Sequence, residues 1–279
     1  ARSRGRPAGA EPVAATLVRV ASADDPRLGA YRDVRDRELK AREGAFLAES
    51  EQVVRLLATS RLYATRSLLL AEGRVDKLGD LLAALPASVT AFVAPQAMVD
   101  ALVGFPMHRG VLALGERGAP LEPAALLAAP GPATVIGLVG VNNHDNVGGA
   151  FRNAAAFGAR GVLLDPASCD PLYRKAVRVS VGGALVVPFA HAAGEGELVA
   201  ALERAGYEVI ALSPQGAERL DALGAVGPRR ALLLGAEGPG LPAPLLARLR
   251  SARVPMAEGF DSLNVAVACG IALFALAGR

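Results

Sequence analysis

Across residues 134–277, short apolar runs of strand length alternate with segments of helical length, which constrains the chain to a mainly parallel sheet covered by helices on both faces. The pattern predicts strands at 134–141, 161–164, 185–187, 207–212, 230–234 and 253–255, and helices at 147–157, 172–179, 197–205 and 242–249. The closing apolar run, 263–277, is too short to cross a bilayer and contains Asn264 and Gly270, so it reads as a buried helix. A smaller alternation occupies residues 17–117. Strands are expected there at 46–49, 67–71, 89–94 and 110–114, with helices at 27–43, 51–58 behind a Ser50 cap, 75–85 and 95–103. The Pro- and Ala-rich stretch between the two alternations reads as a linker with one or two helical turns. The plan is therefore a flexible basic arm at 1–16, a small α/β domain at 17–117, a linker at 118–131 and a larger α/β domain at 132–279.

With 52% hydrophobic residues in 279, the chain has ample material for its cores, which excludes disorder for most of its length. A net charge of +3 and a pI near 9.1 leave room for a basic face that meets phosphates. Cys169 and Cys269 lie far apart, and His108, His144 and His191 lack ligand spacing, so no zinc or iron site is expected. That cysteine usage fits a reducing cytoplasm, with both thiols acting as small buried hydrophobes. The arginine-bearing start reads as a basic arm; a transit peptide is the competing reading, but the segment is short and Glu11 soon follows.

Three clusters of glycine and polar residues each begin where a predicted strand ends, the place where parallel α/β sheets hold ligands. The first runs Asn146-Val-Gly-Gly-Ala-Phe-Arg152-Asn153. Here Asn146 can cap a helix, Gly148 and Gly149 leave room for close approach, and Arg152 can fork onto a phosphate. The second is Gly235-Ala-Glu237-Gly-Pro-Gly240-Leu, a tight glycine turn holding one carboxylate. The third spans Val254-Pro-Met256 to Ser262-Leu263-Asn264-Val, with Asp261 or Ser262 as helix cap and Asn264 in the first turn. Taken singly, each has a plain structural explanation: a capped helix, an exposed loop, a second capped helix.

Taken together and in order, the clusters resemble the SpoU/TrmH family of RNA ribose methyltransferases within the SPOUT superfamily. The family wording is Asn-x-Gly-x-x-x-Arg, then Gly-x-Glu-Gly-x-Gly-Leu, then Pro-Met followed by Ser-Leu-Asn-Val, and all three stand here. The chain departs from the commonest wording at Asn153, where many members have Thr, and at Ala266, where many have Ser. The resemblance implies a trefoil-knotted, mainly parallel α/β domain that binds S-adenosyl-L-methionine, works as a cytoplasmic homodimer and needs no metal. Gly235, Gly240, Val254, Met256 and Leu263 would hold the cofactor. Asn146, Arg152, Glu237, Ser262 and Asn264 would form the catalytic group.

The implied reaction is transfer of the sulfonium methyl to a ribose 2′-hydroxyl in rRNA or tRNA. Because arginine stays protonated, phosphate positioning and charge stabilisation are the roles preferred for Arg152. Arg174 and Arg178, at i,i+4 on one helical face, are read as facing RNA or a second subunit, against the alternative of an ordinary solvated face. The first domain resembles the RNA-binding extension of other members through Phe46-Leu-Ala-Glu49-Ser and Met107-His108-Arg109-Gly110-Val, short motifs of low specificity. Other readings are a non-catalytic RNA-binding protein on the same scaffold and a base-methylating knotted enzyme. A dinucleotide oxidoreductase is a weaker one: Gly148 and Asp165 imitate its layout, but no Gly-x-Gly-x-x-Gly follows the strand.

Overall fold

The computed structural model describes residues 14–32, 36–104, 107 and 110–277. Most of the predicted arm, at 1–13, and His108 and Arg109 of the second N-terminal motif lie outside the described residues. The chain divides into two compact units, Ala1–Arg117 and Gly118–Arg279.

In the first unit the apolar runs become β1 (Thr16–Arg19), β2 (Ala45–Glu49), β3 (Ala64–Ala71), β4 (Thr90–Ala94) and β5 (Val111–Glu116), in the order β1-β4-β3-β5-β2. β1, β4 and β3 run parallel, while β5 is antiparallel to both β3 and β2. The connections carry α1 (Asp36–Glu43), α2 (Glu51–Ala58), α3 (Gly79–Ala84) and α4 (Gln96–Val103). Two predicted helices shorten. The 27–43 segment gives a 3-10 turn over Pro26–Tyr31, opened by the Asp25 side chain accepting from the Arg27 N–H, and among the described residues its α-helical part is α1, Asp36–Glu43. The 75–85 segment starts as 3-10 turns and becomes α-helical at Gly79.

The second unit contains α5 (Pro123–Leu127), β6 (Ala133–Leu138), α6 (His144–Ala156), β7 (Gly161–Leu164), α7 (Arg174–Val179), β8 (Phe189–His191) and α8 (Glu195–Arg204). It continues through β9 (Glu208–Leu212), β10 (Glu218–Arg219), β11 (Arg229–Leu234), α9 (Ala243–Arg248), β12 (Arg250–Arg253) and α10 (Val265–Ala277). The sheet order is β10-β12-β9-β11-β6-β7-β8, and every pairing is parallel. The carboxyl ends of β6, β11, β9 and β12 therefore open on one edge, and each motif follows one of these strands. Leu198, Leu202, Leu163 and Leu233 belong to a core cluster on the sheet, all at 0% exposure.

Two strands are displaced from their expected positions. The run 185–187 is not a strand: Gly183–Leu185 forms a 3-10 turn with Leu185 buried, and pairing with β7 starts when the Pro188 carbonyl accepts from Val162. Expected strand 253–255 lies earlier, at β12, because Pro255 has no N–H to give a ladder. Among the described residues no helix is long and apolar enough to cross a membrane.

Candidate functional site

The loop after β6 sets up the first motif. Asp165 Oδ1 accepts from the Gly140 N–H at 3.0 Å, the Ser168 N–H at 2.9 Å and the Ser168 hydroxyl at 2.7 Å, while the Val141 N–H donates to Ser168 Oγ at 3.0 Å. This network of bonds fixes the approach to α6 and engages Oδ1 of the carboxylate that the dinucleotide-oxidoreductase reading would turn toward its cofactor. Asn143, not Asn146, caps α6: its side chain accepts from the Asp145 N–H at 2.8 Å. Asn146 is thus released from capping and sits inside the first turn with 1% of its surface exposed.

The second motif closes on itself. A Cβ at Gly235 would lie 2.3 Å from the Gly240 carbonyl carbon, so only glycine permits the crossing, and Gly238 and Gly240 take φ of +85° and +69° to complete the turn. The turn leaves Glu237 exposed at its tip.

In the third motif the helix cap is Asn264 rather than Asp261 or Ser262. Its Oδ1 accepts from the N–H groups of Ala266 at 2.9 Å and Val267 at 3.2 Å, the geometry of an N-cap one residue before α10. With Oδ1 committed, Nδ2 points the other way and donates to Asn146 Oδ1 at 2.7 Å and to Glu237 Oε1 at 3.2 Å. One amide thereby ties all three motifs together.

α6 and α10 approach closely beside this bridge because small residues meet there. A Cβ on Gly149 would lie 2.4 Å from the Ala266 Cβ, and Asn153 Nδ2 donates to the Ala266 carbonyl at 2.7 Å. The two departures from the family wording, Asn153 and Ala266, are therefore in direct contact.

The loops enclose a cavity of about 630 Å³ at the carboxyl edge of the sheet, lined by Gly235, Glu237, Gly240, Val254, Met256, Ser262, Leu263 and Asn264 among others. Its apolar walls and few polar groups are the usual make-up of a small-molecule site, and its volume suits a nucleoside-sized ligand. Asn146 Nδ2, buried and without a hydrogen-bond partner, is a donor left over beside it. Leu212, Ser213, Pro214 and Gln215, after β9, also line the cavity. Sequence reasoning missed these four. The available signal was Ser-Pro-Gln-Gly at the end of a predicted strand, the same kind of position as the three motifs.

Asn146 reaches the cavity only through Asn264, and Arg152, Arg174 and Arg178 do not line it. Arg152 is exposed on α6; Arg174, half-buried, opens α7 and Arg178, exposed, lies in its last turn. In the first unit Phe46, Leu47 and Ala48 are core residues of β2, and Ser50 holds a strained φ of +88° before α2.

Burial raises both thiols: Cys169 is pushed up to about 11 and Cys269 to about 12, the latter eased by a hydrogen bond with Asn153. Neither is poised as a nucleophile. Among the described residues no group of three or more His, Cys, Asp or Glu is placed to hold a metal ion.

Residues 133–274 match the SpoU rRNA Methylase family. The chain belongs to that family. It is 39% identical over 264 residues, 91% of this chain and 90% of the relative, to an uncharacterized tRNA/rRNA methyltransferase of Mycobacterium tuberculosis (strain ATCC 25618 / H37Rv). Its fold is similar to that of an AdoMet-bound rRNA methyltransferase from Sinorhizobium meliloti, with a TM-score of 0.78, 24% identity, and coverage of 93% of this chain and 97% of the other. The SpoU methyltransferase AviRb from Streptomyces viridochromogenes gives a TM-score of 0.77 at 20% identity, covering 91% and 97%. The family match includes all three motifs and the four residues after β9.

Proposed function

We propose that the protein transfers a methyl group from S-adenosyl-L-methionine to a ribose 2′-hydroxyl of rRNA or tRNA. The observation that carries this reading is the Asn146–Asn264–Glu237 bridge at the rim of the cavity, which gathers the polar residues of three separate motifs around one site. The bound cofactor supplies an activated methyl on a positively charged sulfur. Gly235 and Gly240 would hold its adenosyl part through their backbone, while Val254, Met256 and Leu263, which line the cavity, would provide apolar walls that exclude water. Glu237 and Ser262 shape the open side of the pocket. Asn146 and Asn264 hold its rim through a bond buried at one end.

Arg152 forks onto an RNA phosphate, fixes the 2′-hydroxyl in place and stabilises the negative charge that develops on its oxygen as the O–H proton passes to water. Its guanidinium has no hydrogen-bond or ion-pair partner among the described residues, so it is available for that contact. Arg174 and Arg178 of α7 extend the RNA-facing surface. The first unit, together with the basic segment at its start, is assigned to recognition of RNA shape and phosphates.

A trefoil knot belongs to this reading. It is supported by the crowding of backbone at the cavity, where a Cβ on Gly235 would meet the Gly240 carbonyl carbon at 2.3 Å. A homodimer belongs to it as well. Val267, Ile271 and Phe274 lie along one side of α10 at 51%, 39% and 72% exposure, and Phe274 packs edge-on against Phe157, itself 39% exposed. An apolar stripe of that kind on a terminal helix is explained by a second copy covering it. The reaction is assigned to the cytoplasm.

The test is methyl incorporation from labelled S-adenosyl-L-methionine into RNA, compared for the wild type and Arg152→Ala. The expected result is a cofactor affinity close to that of the wild type with methylation lost. Normal turnover by the variant would remove Arg152 from the reaction.

A further inference from the structure

His144, the first residue of α6, stacks on Tyr173, the residue just before α7, with ring centroids 5.5 Å apart and planes 24° from parallel. Both rings are half-buried, so each keeps part of its surface in solvent. The pair exists because of Gly148: a Cβ there would lie 2.8 Å from the Ala176 carbonyl oxygen and 2.8 Å from the Val179 Cβ. The bare glycine lets α7 lie directly against α6 and carries Tyr173 over His144.

His144, Gly148 and Arg152 recur at four-residue intervals, so the ring pair and the arginine share one face of α6. Asn146 leaves the same first turn toward α10 and the cavity rim. The rings thus stand at the N-terminal end of the helix that carries Arg152, about two turns or ~12 Å along the axis from it. Beside them, Lys175 Nζ pairs with Asp145 at 2.6 Å, with the two side chains 51% and 50% exposed. An exposed ion pair of this kind contributes little and opens easily, which makes the ammonium available to a phosphate.

Flat aromatic surface next to exposed cations is how proteins hold single-stranded nucleic acid: bases stack on the rings and the cations follow the backbone. A ring already stacked on another has little conformational freedom left to lose when a base joins the stack. We propose that the His144–Tyr173 pair is a stacking platform for the nucleobase adjacent to the methylated nucleotide, with Lys175 on the neighbouring phosphate. This rests on the RNA reading given above and adds to it the residues that grip a flanking base.

The test uses the full chain and two probes of equal length, single-stranded oligoadenylate RNA and its abasic counterpart, and needs no methyl transfer. The chain has no Trp and 4 Tyr, so tyrosine emission can be followed directly alongside anisotropy of the labelled strand. The wild type is expected to bind oligoadenylate at least about tenfold more tightly than the abasic strand, about 1.4 kcal/mol. Tyr173→Leu is expected to erase most of that difference and Tyr173→Phe to keep it, while the affinity for S-adenosyl-L-methionine stays unchanged in both. His144→Ala, judged by the same criterion, decides the matter if Tyr173→Leu does not fold.

A wild type indifferent to the bases, or a folded Tyr173→Leu that retains the preference, overturns the platform. So does a Tyr173→Leu protein that sediments as monomer where the wild type is a dimer, since the rings would then be sealing a subunit contact. Failure of the methylation assay would leave this binding result standing, so the two readings can fail separately.

Discussion

Asn264 performs two jobs that substitution can separate. Asn264→Ala removes the cap on α10, which costs about 1 kcal/mol, and strips the donor from Asn146 Oδ1, whose residue is 1% exposed. A buried acceptor left without its donor costs about 1–3 kcal/mol. The contact to Glu237 is solvent-exposed at one end and adds little. The expected loss is therefore about 2–4 kcal/mol. Asn264→Ser keeps a capping oxygen but cannot span to Asn146, so it should lose only the bridging part and be more stable than the alanine variant by about 1 kcal/mol. Urea unfolding of both variants, and of Asn146→Ala alone and with Asn264→Ala, reads these quantities. The double-mutant cycle should give a coupling of at least about 0.5 kcal/mol. Additive losses within about 0.3 kcal/mol, or alanine and serine variants of equal stability, would refute the bridge and the cap respectively.

Gly235→Ala forces a Cβ to within 2.3 Å of backbone that cannot swing aside, so cofactor affinity by calorimetry should fall at least about tenfold. Gly196→Ala, in open space on α8, should leave it unchanged, and equal affinities for both would contradict the tight crossing. Acidification tests the Arg250 network at the far edge of the sheet. Burial opposes ionisation of Glu208, but the Gly227 N–H and Arg250 outweigh it and hold the carboxyl below its ordinary 4.5; Arg250 holds Glu218 below 4.5 too. Carboxyls depressed on folding stabilise above the unfolded pKa, and that stability disappears as pH falls through the folded value. The Tm gap between wild type and Arg250→Met should thus be full at neutrality and shrink below pH 4.5; a gap that does not shrink would refute the assignment.

Much of the fold was legible because the central strands of a parallel sheet are apolar on both faces: 161–164 coincides with β7, and 207–212 and 230–234 differ from β9 and β11 by one residue at their starts. Edge elements were harder. β8 is shifted because Leu185 is buried by a turn rather than by a strand, and apolarity alone does not distinguish the two. β10 has only 2 residues and no apolar run to announce it.

At the site, the motifs indicated which loops matter but not which amide does what. Asn143 and Asn146 are equally good caps on sequence grounds. What separates them is a partner 118 residues away, which engages Asn146, while Asn264 caps α10 in preference to Asp261 and Ser262 through its Oδ1, the other end of the bridging amide. The stretch after β9 went unread because its polar residues resemble any turn; only the folded sheet shows that it opens on the same edge as the three motifs.

The most direct measurement of the central claim is incubation of the protein with total RNA and S-adenosyl-L-methionine labelled in the methyl group, followed by nuclease digestion and mass analysis of the nucleosides. The label is predicted in a 2′-O-methylnucleoside. Label on a base would contradict the ribose assignment, and absence of label from a protein that also fails to bind the cofactor would contradict the reaction itself.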